Sequence, residues 1–147
     1  MSVLAFDRPD PRYRYTDRWG AYAFVLEPGR GLFLVETPDG WELPGGGIEA
    51  GESPVQALER EIWEETGHHL RTARPFVTVR QIWTRPDKGT FFNKICTVFL
   101  ASVEGPLQAP LEADHRPFWT DPAATRGRMA ETYKAWVIER ALEVQRV

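Results

Sequence analysis

The sequence predicts an α/β fold of the α+β kind, with two separated helices packed on a mixed β-sheet. Three observations carry this. Short aromatic and β-branched runs come first and in pairs, joined by turn residues. Two helical patterns stand apart, one in mid-chain and one at the end, so the helices must pack on a sheet built from the runs between them. The length of 147 residues suits one domain and buries enough surface for a core without staples.

In chain order, Met1 to Arg18 is polar and interrupted by Pro9 and Pro11, and reads as an arm or edge segment ahead of a single domain over 19–147. Trp19 to Glu27 and Gly31 to Thr37 are strand runs around Pro28-Gly29-Arg30, a hairpin signal. Trp41-Glu42-Leu43 is a short strand candidate leading into Pro44-Gly45-Gly46-Gly47, where no regular element is expected. Ser53 caps the best-specified helix, with Pro54 at its first position, Gln56 completing a capping box and Gly67 as the stop. Two long strands, Thr72 to Thr84 and Phe91 to Val103, flank the turn Pro86-Asp87-Lys88-Gly89. Gly105 to Pro117 reads as loop, and Asp121-Pro122 opens a short helix ended by Gly127. Met129 to Val144 reads as a final helix with Tyr133, Trp136, Val137, Ala141 and Val144 on one face.

Composition narrows the functional classes. Cys96 is the single cysteine, which excludes an internal disulfide and a cysteine-rich zinc site. The longest apolar run, Ala21 to Leu26, is far short of a membrane span, and the N-terminal segment lacks the apolar stretch of a signal peptide, so a cytoplasmic location away from membranes is expected. A net charge of −3 argues against a nucleic-acid partner, because phosphate neutralisation by basic side chains supplies most of that affinity. A chain so charged needs a metal ion to approach phosphates.

The mid-chain helix carries the chemistry. At about 100° per residue, Val55, Leu58 and Ile62 form the buried stripe, and Glu61, Glu64 and Glu65 lie within roughly 100° of one another on its flank. Like charges at these spacings repel by a few tenths of a kcal/mol per pair on an exposed helix. A solvated acidic face is the plain alternative. Against it, the carboxylates border the apolar stripe, and a triple-glycine segment that can offer carbonyl oxygens directly precedes the helix. Hard divalent cations take such mixed oxygen shells.

From Gly46, with Glu52 and the run Arg60-Glu61-Ile62-Trp63-Glu64-Glu65-Thr66-Gly67, the segment 46–68 resembles the signature box of the Nudix hydrolase family. His68 is the departure, standing where that box usually has an aliphatic residue. The resemblance implies an α/β/α sandwich and a metal-dependent diphosphohydrolase using Mg²⁺ or Mn²⁺ on a small-molecule nucleotide, with a homodimer allowed for. It implies Glu61 and Glu65 as main metal ligands, completed by Glu64 and the Gly46 carbonyl, with Arg60 and Glu52 orienting them. The general base is a box glutamate or the loop residue Glu112, whose alternative reading is an exposed loop acid.

The substrate is inferred by elimination. Trp83 stands where ADP-ribose types carry a proline, and Arg85 where dinucleoside polyphosphate types carry a tyrosine. A nucleoside triphosphate then leads, including an oxidised one such as 8-oxo-dGTP, cleaved to the monophosphate and pyrophosphate. Other nucleoside diphosphate derivatives are the alternative, and a non-catalytic nucleotide-binding module is disfavoured because every box carboxylate is present. Trp83 and Phe92 are candidates to line the substrate cleft, and Arg80 and Lys94 to contact phosphate. His115 beside Asp114 reads as a loop-turn imidazole held by its neighbour rather than as a base.

Overall fold

A computed structural model describes residues 3–145. The described residues contain nine strands and two α-helices, besides short 3-10 turns at Pro86–Lys88 and Pro122–Thr125: β1 (Val3–Ala5), β2 (Thr16–Phe24), β3 (Leu26–Glu27), β4 (Gly31–Thr37), β5 (Gly40–Glu42), β6 (Gly45–Gly47), α1 (Pro54–Thr66), β7 (His69–Arg85), β8 (Thr90–Glu104), β9 (Arg116–Thr120) and α2 (Thr132–Gln145). One sheet has the order β1-β7-β8-β2-β6 and is mixed: β1 runs parallel to β7 and β2 to β8, and the other pairs are antiparallel. In the other sheet β4 pairs antiparallel with β3, β5 and β9.

Period-two alternation along β2 makes the two cores. Tyr22 and Phe24 pack with Leu32, Leu34, Val98 and the α2 residues Tyr133, Val137 and Ala141. Ala21, Ala23 and Val25 face the other way and pack with Phe33, Phe99 and the α1 residues Leu58 and Ile62. Helices therefore cover both faces, giving the α/β/α sandwich.

Five expectations change. The first predicted strand is two elements, because Val25 interrupts it: β2 joins the large sheet, and only the short β3 forms the hairpin with β4. Thr16 to Arg18, read with the arm, pair with Phe92 to Lys94 inside β2, while β1 occupies an edge and Met1 and Ser2 lie outside the described residues. Gly45 to Gly47 form a strand antiparallel to β2. The residues 116–120 form β9, paired along β4, in what read largely as loop. Finally, α2 begins at Thr132, because Trp41 and Ala130 hydrogen-bond backbone to backbone ahead of it.

Helix α1 keeps its predicted bounds for stated reasons. Ser53 Oγ accepts from the Gln56 N–H at 3.1 Å and Gln56 Oε1 accepts from the Ser53 N–H at 2.8 Å. Gly67 ends it in the left-handed region at φ 67°. Its buried stripe is Ala57, Leu58 and Ile62, continuing to Glu65 and Thr66, while Val55, assigned to the stripe from its angle, is 38% exposed. In the first turn Ala57, fully buried, takes the place on the stripe.

Candidate active site

The flank of α1 meets β6 and the loop 105–115. Side chains of Glu61, Glu64 and Glu65 are 15%, 33% and 5% exposed, so Glu65 is buried, Glu61 nearly so, and Glu64 forms the open side of the row. Arg60 is the hub of one end. Its Nε donates to Glu52 Oε2 at 2.7 Å and Nη2 to Glu52 Oε1 at 3.0 Å, a two-point clamp. Nη1 donates to Glu61 Oε1 at 2.9 Å, and Nη2 also donates to the Gly47 carbonyl at 2.9 Å. Glu52 thus fixes Arg60, and Arg60 fixes Glu61.

Glycine is required at two points of β6. A Cβ on Gly46 would stand 2.5 Å from the Glu61 carboxyl carbon, so only a bare α-carbon allows that carboxylate its place. Gly45, at φ 141°, donates its N–H to Glu65 Oε1 at 2.8 Å.

Electrostatics of this end favour taking up a cation. Burial pushes the Glu65 carboxyl up to about 9, against the Gly45 hydrogen bond and with help from Glu61, Glu112 and Glu42. Burial also raises Glu61, although Arg60 opposes it. Glu52 is held below its ordinary value by its hydrogen bonds from Arg60.

The loop brings Glu112 into the group. The Leu111 N–H and Glu112 N–H donate to the Glu64 carbonyl at 2.8 and 3.4 Å, which pins the loop to the end of α1. Glu61, Glu64 and Glu112 each place a carboxylate oxygen within 4.8 Å of the others'. Such an all-oxygen set fits a hard divalent cation. Glu65, Glu112 and His115 form a second group under the same criterion. His115 is the residue that sequence reasoning set aside. Its contact with Asp114 was legible, with Nδ1 donating to Asp114 Oδ1 at 2.8 Å, but its approach to Glu65 depends on the course of the loop.

On the α2 side of the sheet, Trp83, Phe92 and Lys94 come together with Arg18. Trp83 and Phe92 stack at 5.6 Å, the Arg18 guanidinium lies 4.5 Å from the centre of the Phe92 ring, and the four line a cavity of about 260 Å³. An adjoining cavity of about 410 Å³ is lined by Glu42, Trp83, Lys94 and Glu131 among others. Arg80 lines neither. It is an odd number of residues from Trp83 on β7, so the pleat turns it to the other face. Lys94 is there, but its Nζ donates to both oxygens of Glu131 at 3.2 and 3.3 Å.

Behind Lys94 lies a charge network the sequence did not reveal. Lys134 is fully buried, its Nζ 3.8 Å from the centre of the Tyr22 ring, 3.2 Å from Glu131 and 3.8 Å from Glu42. Glu131 precedes it by three residues, the only sequence signal, and the helical face read there omitted both.

His68, the departure in the box, behaves as a packing residue. It is buried, lies tilted against Phe33 with ring centres 4.7 Å apart, and donates Nδ1–H to the Thr66 carbonyl at 2.8 Å. Burial lowers its proton affinity, so the ring is neutral and fills the aliphatic position as a flat apolar group. It lines a cavity of about 610 Å³ with Arg30, Phe33, Gln108 and Trp119, beyond the exit of α1.

The chain is similar to proteins already characterised by sequence and structure. The NUDIX domain family model matches residues 16–139. A MutT-like protein of Streptomyces ambofaciens is 34% identical over 110 residues, 74% of this chain and 66% of that protein. Phosphatase NudJ of Escherichia coli K12 is 38% identical over 82 residues, covering 54% and 52%. These alignments therefore span about half to two thirds of the relatives' length. Among solved structures, a NUDIX hydrolase from Nitrosomonas europaea superposes with a TM-score of 0.67 at 24% identity, over 88% of this chain and 90% of that one. The MutT NUDIX hydrolase of Burkholderia pseudomallei gives 0.59 at 27% identity, over 74% and 85%. The chain belongs to the Nudix family.

Among the described residues no helix is long and apolar enough to cross a membrane.

Proposed function

We propose that this chain is a divalent-metal-dependent pyrophosphohydrolase that converts a nucleoside triphosphate, including an oxidised one such as 8-oxo-dGTP, to the monophosphate and pyrophosphate. The carrying observation is the convergence of Glu61, Glu64 and Glu112 within 4.8 Å at a flank that Arg60 and Glu52 hold in place. A divalent ion such as Mg²⁺ or Mn²⁺, if held there, would supply charge stabilisation for the phosphoryl group and lower the pKa of water. Glu61 and Glu65, with Glu64 and the Gly46 carbonyl, would hold the metal. Arg60 keeps the Glu61 carboxylate oriented through its bond at 2.9 Å, and Glu52 prevents Arg60 from swinging away. Glu112 is the general base, accepting the proton from water while its backbone stays tied to the Glu64 carbonyl.

The nucleobase is placed on the Trp83–Phe92 shelf, where base–aromatic stacking contributes about 1–3 kcal/mol. Arg18, over Phe92, and Arg85, over Trp83, supply cations to that shelf, whereas Lys94 is committed to Glu131.

The test is a nucleotide panel with Mg²⁺, coupled to inorganic pyrophosphatase and phosphate detection. Triphosphates, oxidised ones included, should turn over with pyrophosphate as product. Preferential cleavage of ADP-ribose, a nucleotide sugar or a dinucleoside polyphosphate would overturn the substrate assignment. Absence of any hydrolysis across the panel would overturn the enzymatic one.

A further inference from the structure

We propose that the cavity beyond the exit of α1 is a second ligand site, built for a flat heterocyclic anion of the nucleoside monophosphate class. It takes none of its walls from the acidic cluster, and it does not depend on the hydrolase reading.

His68 and Gln108 carry the assignment. The His68 ring lines the cavity, is 3% exposed and donates Nδ1–H to the Thr66 carbonyl at 2.8 Å. Burial, helped by the nearby Arg30 charge, keeps the ring neutral, so Nε2 on its far edge is a bare acceptor. Among the described residues no donor reaches that buried nitrogen. Gln108 lines the same cavity, and its buried amide nitrogen is a donor that no acceptor among them reaches. The two groups are complementary, yet they are not bonded to each other. Buried polar groups are nearly always paired. A donor and an acceptor left open on one cavity therefore state what an occupant must bring: an N–H for His68 and a carbonyl for Gln108. A keto nucleobase carries both on one ring edge. The aliphatic residue that usually stands at the His68 position could ask for neither.

The lining suits the rest of such a molecule. Phe33 touches both His68 and Trp119, with ring centres 4.7 and 4.5 Å apart, and Leu107 and Pro110 extend the apolar wall. The volume of about 610 Å³ lies within the roughly 300–1,000 Å³ of small-molecule sites. The Arg30 guanidinium lies 3.9 Å from the centre of the Trp119 ring and is 44% exposed, so a cation stands at the mouth. Its Nη1 donates to Glu27 Oε2 at 3.2 Å. That contact leaves the rest of the guanidinium fork for a phosphate.

An occupant there touches the loop that carries Glu112. The Leu107 N–H donates to the Gly67 carbonyl and the Leu111 N–H to the Glu64 carbonyl, both at 2.8 Å, so the cavity-lining stretch 106–110 is tied down at each end. A ligand packed against this stretch braces it further.

The test is ¹⁵N NMR of the full chain in EDTA, titrated with guanosine monophosphate. His68 Nε2 and the Gln108 side-chain amide should shift together and saturably. Hydrogen exchange at the Leu111 N–H should slow by about tenfold at a tenfold excess over Kd. His68→Leu, which places the usual aliphatic residue there, and Arg30→Met should each weaken binding by about tenfold. Guanosine, without the anion, and ribose phosphate, without the base, should bind more weakly than the nucleotide. No shift at His68 and Gln108, shifts confined to the α1 and β6 backbone, or equal binding of either fragment overturns the proposal. So does a direct His68–Gln108 hydrogen bond in the free chain. Binding at His68 with no hydrolysis of any nucleotide leaves the site standing and overturns only the hydrolase reading. Should His68→Leu not fold, Arg30→Met, at a half-exposed side chain, decides alone.

Discussion

Glu65 is the residue on which burial and charge act most strongly against each other. Its folded-state proton affinity is raised, from an ordinary 4.5 to about 9, first by burial. A carboxyl so shifted stabilises the fold while protonated, below its unfolded value, and that contribution is lost as pH rises towards the folded value. The metal-free protein should therefore lose stability as pH climbs from about 4.5 towards 9, and Glu65→Gln should flatten this slope, read by calorimetry at fixed ionic strength. The same variant should lose most hydrolysis, since a neutral amide is a poor ligand. An unchanged slope with full activity would mean that Glu65 is a solvated acid. For Glu112 the expectation is kinetic. As general base, Glu112→Gln should lower kcat by about 10²–10⁴ with little change in KM. A loss under about tenfold would return the base to the box glutamates.

At the scale of elements, α1 is specified locally and β6 is not. Ser53, Pro54, Gln56 and Gly67 bound the helix by caps that neighbours in sequence complete, so the reading survives in the fold. Ser53→Ala should cost about 1 kcal/mol in denaturant unfolding without altering kcat, because the cap lies at the end of α1 away from Glu65. A much larger activity loss than stability loss would show that the cap also sets the register of Glu61. By contrast, Gly45 to Gly47 look like a place where no strand can form, and only pairing with Gly20 to Tyr22 makes them one. β9 was missed for the same reason, its partner Leu32 to Glu36 lying far back in the chain. The site divides along the same line. Glu52, Arg60 and the box glutamates sit on one helix or at its mouth, and their contacts follow from spacing. His115 opposite Glu65, and Glu42 near Lys134, depend on loop course and sheet packing that no local pattern encodes.

For the whole molecule, the decisive quantity is where the net charge of −3 resides. Glu52, Glu61, Glu64, Glu65, Glu112 and Asp114 gather at one end around Arg60 and the His115 ring, whereas Glu42 and Glu131 on the α2 side are matched by Lys94 and Lys134. The excess is therefore local, and a cation should bind the folded chain and not the unfolded one. Such a ligand stabilises by RT ln(1 + [L]/Kd), about 2.7 kcal/mol at a hundredfold excess over Kd. At about 2–4 °C per kcal/mol for a chain near this size, saturating Mg²⁺ or Mn²⁺ should raise Tm by roughly 5–10 °C. Matched NaCl or KCl should not reproduce the shift, which separates specific binding from screening. Chelation with EDTA should remove both the added stability and all turnover, and readdition of Mn²⁺ should restore both. Glu65→Gln should show a smaller shift than the parent from a similar or higher metal-free Tm, because it lacks both the ligand and the cost of ionising a buried carboxyl. Turnover that persists in excess EDTA after dialysis would break the link between this charge cluster and catalysis.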